Sequence, residues 1–134
     1  MEYFITENAE SLHIDEVTAL LKQTYWADKR TQAQIRKSME NSKCYGMYLK
    51  GEKKLVGFAR VISDFATTYY LCDVVIDKEY QNKGLGTALV SFIEASEEYQ
   101  GLRGILITRD AHTLYERFGY QTLNGRAMVK GLNC

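Results

Sequence analysis

The sequence predicts an α/β domain built on a mixed central sheet, and three observations lead there. The chain has 134 residues, which suits one compact domain and leaves no room for a second core. Strand-like stretches alternate with stretches of helical period along its length. The short run Ile105-Leu106-Ile107 is apolar throughout, as expected of a strand covered on both faces in the middle of a sheet. Together they predict one domain over 1–134 in the order β-α-α-β-β-β-α-β-α-β-β. Its sheet should have six or seven strands flanked by about four helices, on both faces.

Each element has a local reason. Residues 3–5 form a short first strand. Asp15 is placed to cap a helix carrying Val17, Leu20, Leu21 and Thr24 on one face and ending near Trp26. Thr31 and Gln34 have capping-box spacing, so a second helix should run to about Ser42. Residues 44–49 and 55–62 read as a hairpin around the polar turn at 50–53, and 69–76 is rich in β-branched and aromatic residues. Leu85, Ala88, Leu89, Phe92 and Ile93 fall at helical spacing and mark the best-defined helix. Asp110 offers a cap for a helix through Leu114, Tyr115 and Phe118 that Gly119 stops, and Asn124-Gly125 suits a hairpin turn between two final strands.

Composition excludes several classes of function. Seventeen Lys and Arg offset seventeen Asp and Glu, without the basic excess that a nucleic-acid or anionic-membrane partner demands. The longest uncharged stretches run to about ten residues, against the roughly 20 of a spanning helix. The amino terminus lacks the pattern of a signal peptide, which points to the cytoplasm. Cys44, Cys72 and Cys134 are odd in number and far apart, and with His13 and His112 they show no metal-ligand spacing, so no metal is expected.

Chemistry concentrates after residue 76. Gln81-Asn82-Lys83-Gly84-Leu85-Gly86 joins a strand to a helix through two glycines one residue apart. Such a junction is an anion cradle: glycines let successive backbone N–H groups converge, and the helix start adds unpaired donors and the positive end of its dipole. Leu89 stands where the dinucleotide fingerprint needs its third glycine, and no Gly-Lys-Ser or Gly-Lys-Thr follows, so both common nucleotide motifs are unsatisfied. The segment instead matches Gln/Arg-x-x-Gly-x-Gly/Ala. About thirty residues later, Leu114-Tyr115-Glu116-Arg117-Phe118-Gly119-Tyr120 matches Leu-Tyr-x-x-x-Gly-Phe/Tyr. Through these two motifs, in this order, the chain resembles the GNAT N-acetyltransferase superfamily.

The resemblance implies acetyl-CoA as acetyl-donor cosubstrate, lying where two central parallel strands part. The pantetheine arm would then bond to the backbone of Val74, Val75 and Ile76. The diphosphate would be held by N–H groups of Asn82, Lys83, Gly84, Leu85, Gly86 and Thr87, with Gln81 opening the loop. Tyr115 matches the residue expected to protonate the departing thiolate. Lys78 stands where the family often has proline, and no asparagine precedes the Tyr115 helix. The implied reaction is direct acetyl transfer, in a ternary complex, to a primary amine of a small molecule or peptide. A non-catalytic acyl-CoA-binding sensor or interaction module is the alternative.

Acetylation needs a neutral amine, and a lysine-like amine is only about one part in a thousand neutral near pH 7, a deficit of roughly 4 to 5 kcal/mol. Asp73, a carboxylate inside an apolar strand, is the first candidate for the base, because desolvation raises a carboxyl pKa. An ion pair with Arg60 is its equal alternative, and a water chain is another. Backbone N–H from Val74 would meet the oxyanion. Trp26, Arg30, Asp64 and Tyr70 are the candidate acceptor-binding residues, aromatic and charged side chains near the loop joining the first two helices and the hairpin before the fourth strand. Strict alternation puts Tyr70 and Cys72 on the face opposite Asp73, unless a bulge intervenes. Ten tyrosines and five phenylalanines can line a site or a homodimer surface, and the sequence does not divide them.

Overall fold

A computed structural model describes residues 2–131. The elements are β1 (Tyr3–Thr6), α1 (Ile14–Leu21), α2 (Gln32–Glu40), β2 (Lys43–Leu49), β3 (Leu55–Ser63), β4 (Thr68–Ile76), α3 (Leu85–Glu94), β5 (Arg103–Ile105) and α4 (His112–Glu116). Short 3-10 turns occupy Ala9–Ser11, Lys78–Tyr80 and Glu97–Tyr99. The strands form one sheet in the order β1-β2-β3-β4-β5, antiparallel except for the parallel β4–β5 pair.

Two apolar clusters sandwich this sheet. Val17, Leu20, Leu21 and Ile35 from α1 and α2 pack on Cys44, Tyr48, Phe58 and Val75. On the opposite face Leu85, Leu89, Val90 and Ile93 of α3 and Tyr115 of α4 meet Tyr45, Met47, Ala59, Val61 and Leu71. Leu89 and Ile93 are wholly buried, so truncating either to alanine removes about 2 to 5 kcal/mol.

The predicted capping box at Thr31 and Gln34 is present, with Thr31 Oγ1 accepting from Gln34 N at 3.1 Å and Gln34 Oε1 accepting from Thr31 N at 2.9 Å. Helix α1 differs from expectation at both ends. His13 holds its N-cap position without a side-chain bond, and Asp15 instead accepts from Gln32 Nε2 at 2.9 Å, tying α1 to α2. The helix stops at Leu21 because Thr24 Oγ1 donates to Leu21 O at 2.7 Å and accepts from Ala27 N at 3.0 Å, a side-chain competitor for the helical ladder. Asp110 does not cap α4; Thr108 Oγ1 accepts from Ala111 N at 3.0 Å.

The sheet has five strands among the described residues rather than six or seven. Among the described residues the two expected after Gly119 do not form: residues 121–131 are exposed throughout and add no strand to the sheet. In consequence β5 is an edge strand, not a central one, and Ile105 and Ile107 are 45% and 65% exposed. Glu94 at the end of α3 ties Tyr120 to β4, its carboxylate accepting from Tyr69 Oη at 2.5 Å and Tyr120 Oη at 2.8 Å. Those two rings press on β5 where a side chain would collide, since a Cβ on Gly104 would lie 2.7 Å from both Tyr69 Cζ and Tyr120 Oη.

Candidate active site

Two irregularities in β4 define the site. Pairing with β5 covers Thr68, Tyr69 and Tyr70 only, opposite Arg103, Gly104 and Ile105, after which the strands part. From Leu71 to Ile76 one backbone edge of β4 therefore has no strand beside it. The second irregularity is a bulge: Phe58 opposes Val75 but Arg60 opposes Cys72, two steps on β3 against three on β4. Asp73 sits in it with φ of +55°, a left-handed conformation that aspartate tolerates better than most residues.

The bulge resets which residues face which side. Tyr69 and Leu71 point to the α3 face, as do Val74 and Ile76 beyond the bulge, whereas Val75 is buried under α1 and α2. Tyr70 and Cys72, alternating with Tyr69 and Leu71, point to the α1–α2 face, and Asp73 joins them there. Burial pushes the Cys72 thiol up to about 12 and the Cys44 thiol up to about 11, so both stay protonated.

Asp73 is buried and fully engaged. Its Oδ2 accepts from Arg30 Nη1 at 2.7 Å and Arg60 Nε at 2.9 Å, and its Oδ1 accepts from Trp26 Nε1 at 3.1 Å. Burial alone would raise its pKa, but the hydrogen bond from Arg30 and the charges of both guanidinium groups outweigh that and hold the carboxyl below its usual range. Of the two sequence readings of Asp73, this geometry is that of the arginine-paired carboxylate; a base poised near neutral pH needs the opposite shift.

The structure thus gathers Trp26, Arg30 and Asp73 into one cluster and adds Arg60. Asp64 is elsewhere: its carboxylate closes its own turn, accepting from the N–H groups of Ala66, Thr67 and Thr68 at 2.8–3.2 Å and from Thr67 Oγ1 at 2.7 Å, bonds that hold it well below the usual carboxylate range. Sequence reasoning missed Arg109. Its guanidinium lies 3.7 Å from the Tyr25 ring centroid, and Tyr25 stands edge-on to Trp26 at 5.0 Å, so the β5–α4 loop reaches the α1–α2 loop across the gap beyond β5. No local pattern announces a contact between such distant segments.

On the other side of the site, Gln81 Nε2 donates to Ile76 O at 3.0 Å and folds the loop back on the end of β4. Asn82 and Gly84 follow at φ of +64° and +81°. Gly84 is the N-cap of α3 without a side-chain cap, and its carbonyl accepts from Ala88 N. None of the N–H groups of residues 82–87 donates to another atom among the described residues. Six main-chain donors at the start of a ten-residue helix make a cradle for an anion such as a diphosphate. That fit rests on backbone, so the lysine at position 78 does not disturb it. Lys83 adds charge at its rim, with Nζ 5.9 Å from the Tyr80 ring centroid.

Tyr115 is buried among Leu89, Val90 and Ile93, and burial pushes its phenol up to about 12. Its hydroxyl takes no hydrogen-bond partner among the described residues, although Tyr120 packs edge-on to its ring at 6.0 Å. A phenol with that pKa is a protonated donor at neutral pH.

Comparison with known proteins adds identity to this geometry. The family profile described as the acetyltransferase (GNAT) domain matches residues 40–122. The structure superposes with a TM-score of 0.89 and 32% identity on a crystal structure from Xanthomonas campestris pv. campestris described as belonging to the GNAT family, covering 98% of this chain and 94% of that one. A Prochlorococcus marinus protein named as an uncharacterized N-acetyltransferase, ycf52-like, is 28% identical over 134 residues, 98% of this chain and 72% of that protein. GCN5-related N-acetyltransferase 2, chloroplastic, from Arabidopsis thaliana is 36% identical over 72 residues, 52% of this chain; the match spans 28% of that protein's length. The chain belongs to the GNAT acetyltransferase family.

Proposed function

We propose that this GNAT family member transfers the acetyl group of acetyl-CoA to a primary amine of a small molecule or peptide, by direct attack in a ternary complex. The observation that carries this reading is the set of six unpartnered N–H groups at 82–87, placed where β4 ends and beside the edge of β4 that β5 leaves open. Bound there, acetyl-CoA supplies an activated thioester with a thiolate as leaving group. In this reading the amides of Asn82, Lys83, Gly84, Leu85, Gly86 and Thr87 hold the diphosphate, and the open backbone of Val74, Val75 and Ile76 aligns the pantetheine arm. Tyr115 donates its hydroxyl proton toward the departing sulfur.

The base differs from the first sequence candidate. Asp73 remains a carboxylate, and its contribution is to pin Trp26 and Arg30 against β4. The amine proton leaves to water, and the nearby guanidinium charges favour the neutral form of an incoming amine.

An acetyl-acceptor screen that reads free thiol tests the proposal. Amine-dependent thiol release is the expected result. Tight acetyl-CoA binding with no release across a broad amine panel would replace it with the acyl-CoA sensor.

A further inference from the structure

The acceptor side of the site carries an uncompensated cation. Arg60 and Arg30 both bond to the same oxygen of Asp73, at 2.9 and 2.7 Å, and one carboxylate neutralises one of them. The two neighbouring loops do not remove that excess: beside Arg30 the α1–α2 loop carries Lys22, Asp28 and Lys29, and the β5–α4 loop carries Arg109 and Asp110. Arg60 is the buried partner, 11% exposed at the side chain, and its Nη1 also reaches Ser42 Oγ at 3.5 Å. Arg30 is the accessible one. Its side chain is 27% exposed, its Nη1 is spent on Asp73, and its remaining guanidinium donors meet no other group among the described residues.

A guanidinium held at one corner, with its other donors directed elsewhere, is built to receive two oxygens of a carboxylate or phosphate, and it does so better than lysine because its fork is fixed. Trp26 bonds to the same carboxylate and thereby fixes an aromatic surface beside it. Arg109, stacked on Tyr25, places a second cation at the same rim.

We infer that the acetyl acceptor is an amine bearing an anionic substituent, a carboxylate or a phosphate, that Arg30 recognises. This deepens the acetyltransferase reading and rests on it. Polyamines and other cationic acceptors are disfavoured by the same charge, which meets them as a like charge before any contact forms. Arg30 is then a specificity-determining residue and Asp73 the group that positions it.

The test is a set of matched acceptors assayed by thiol release: glycine against glycinamide, tyrosine against tyramine, and O-phosphoethanolamine against ethanolamine, with spermidine as a cationic reference. The expected result is kcat/KM at least tenfold higher for the anionic member of the carboxylate pairs or of the phosphate pair, and which pair responds identifies the anion. Arg30→Gln should shrink that ratio toward one while acetyl-CoA still binds with a Kd within about twofold, and Arg30→Lys should keep most of it. Should Arg30→Gln fail to bind acetyl-CoA, the wild-type ratio is read between 50 and 500 mM NaCl, where screening should lower it severalfold. Equal or better turnover of the neutral members or spermidine overturns the inference and leaves the acetyltransferase intact. A preference that survives both Arg30→Gln and salt does the same. Acetyl-CoA binding without turnover of any amine overturns both.

Discussion

The two walls of the site are made of different material. The wall at 82–87, proposed to hold the diphosphate, is main chain: two residues in the left-handed region and six N–H groups, with no side chain needed to aim them. The wall proposed for the acceptor is side chain: a buried carboxylate of β4 gripped by Trp26 and Arg30 from the α1–α2 loop and by Arg60 from β3. Damage to the first should show in ligand affinity with the fold intact, because its donors bond to nothing among the described residues. Damage to the second should show first in stability, because the buried Asp73 carboxylate is what satisfies the buried Arg60.

Asp73→Asn breaks the comparison hardest. It leaves two guanidinium groups facing a neutral amide, and a buried pair that loses one partner costs about 3 to 5 kcal/mol, measured by urea or thermal denaturation. Tyr115→Phe comes next. It should lower kcat by about a hundredfold at unchanged acetyl-CoA affinity, and it should barely move the melting point, since the hydroxyl has no partner among the described residues to abandon.

Gly84→Val acts on the other wall. An L-residue at φ of +81° is disfavoured by about 1 to 2 kcal/mol, and a shift of the loop to relieve that should raise the acetyl-CoA Kd roughly tenfold by calorimetry. Gly86→Ala sharpens the contrast from below. A Cβ there meets only Ile76 Cγ1 at 3.7 Å, so affinity should change by less than about twofold, and helix propensity should add up to about 1 kcal/mol of stability.

pH separates the walls as well. Folding lowers the pKa of Asp73, so the unfolded chain takes up the proton more readily than the native one. The stability Asp73 contributes is complete above the ordinary carboxylate range, and it is lost as pH falls through that range toward the depressed native value. Denaturant midpoints measured from pH 7 down to pH 3 should decline below about pH 4 in wild type and much less in Asp73→Asn. Tyr115, raised to about 12, predicts no descending limb from this phenol between pH 7 and pH 10 in kcat.

The same contrast explains what the sequence disclosed. The glycine loop and the first turn of α3 lie in six consecutive residues, and the capping box of α2 in four, so both were legible as local patterns. The Asp73 cluster was half visible: a carboxylate within an apolar strand is a signal, and Arg60 was named as its partner. Trp26 and Arg30 were placed near an acceptor instead, because only the packing of the α1–α2 loop on β4 turns them toward Asp73. The bulge left no signature except an aspartate where a β-former was expected. An Asn-Gly turn suggested two last strands, but a turn signal alone does not make a strand, and 121–131 stays exposed and outside the sheet's strands. Burial of Ile105 and Ile107 was inferred from their apolar run, and it fails because β5 is the edge of the sheet.

The account turns on whether main-chain amides at 82–87 grip the diphosphate of acetyl-CoA. Amide chemical shifts of the 15N-labelled chain, titrated with acetyl-CoA and separately with S-acetylpantetheine, measure this directly. The largest shifts should fall on 82–87 with acetyl-CoA and be absent there with the ligand that lacks the diphosphate. Identical shifts with both ligands, or shifts confined to residues outside that loop, would contradict it.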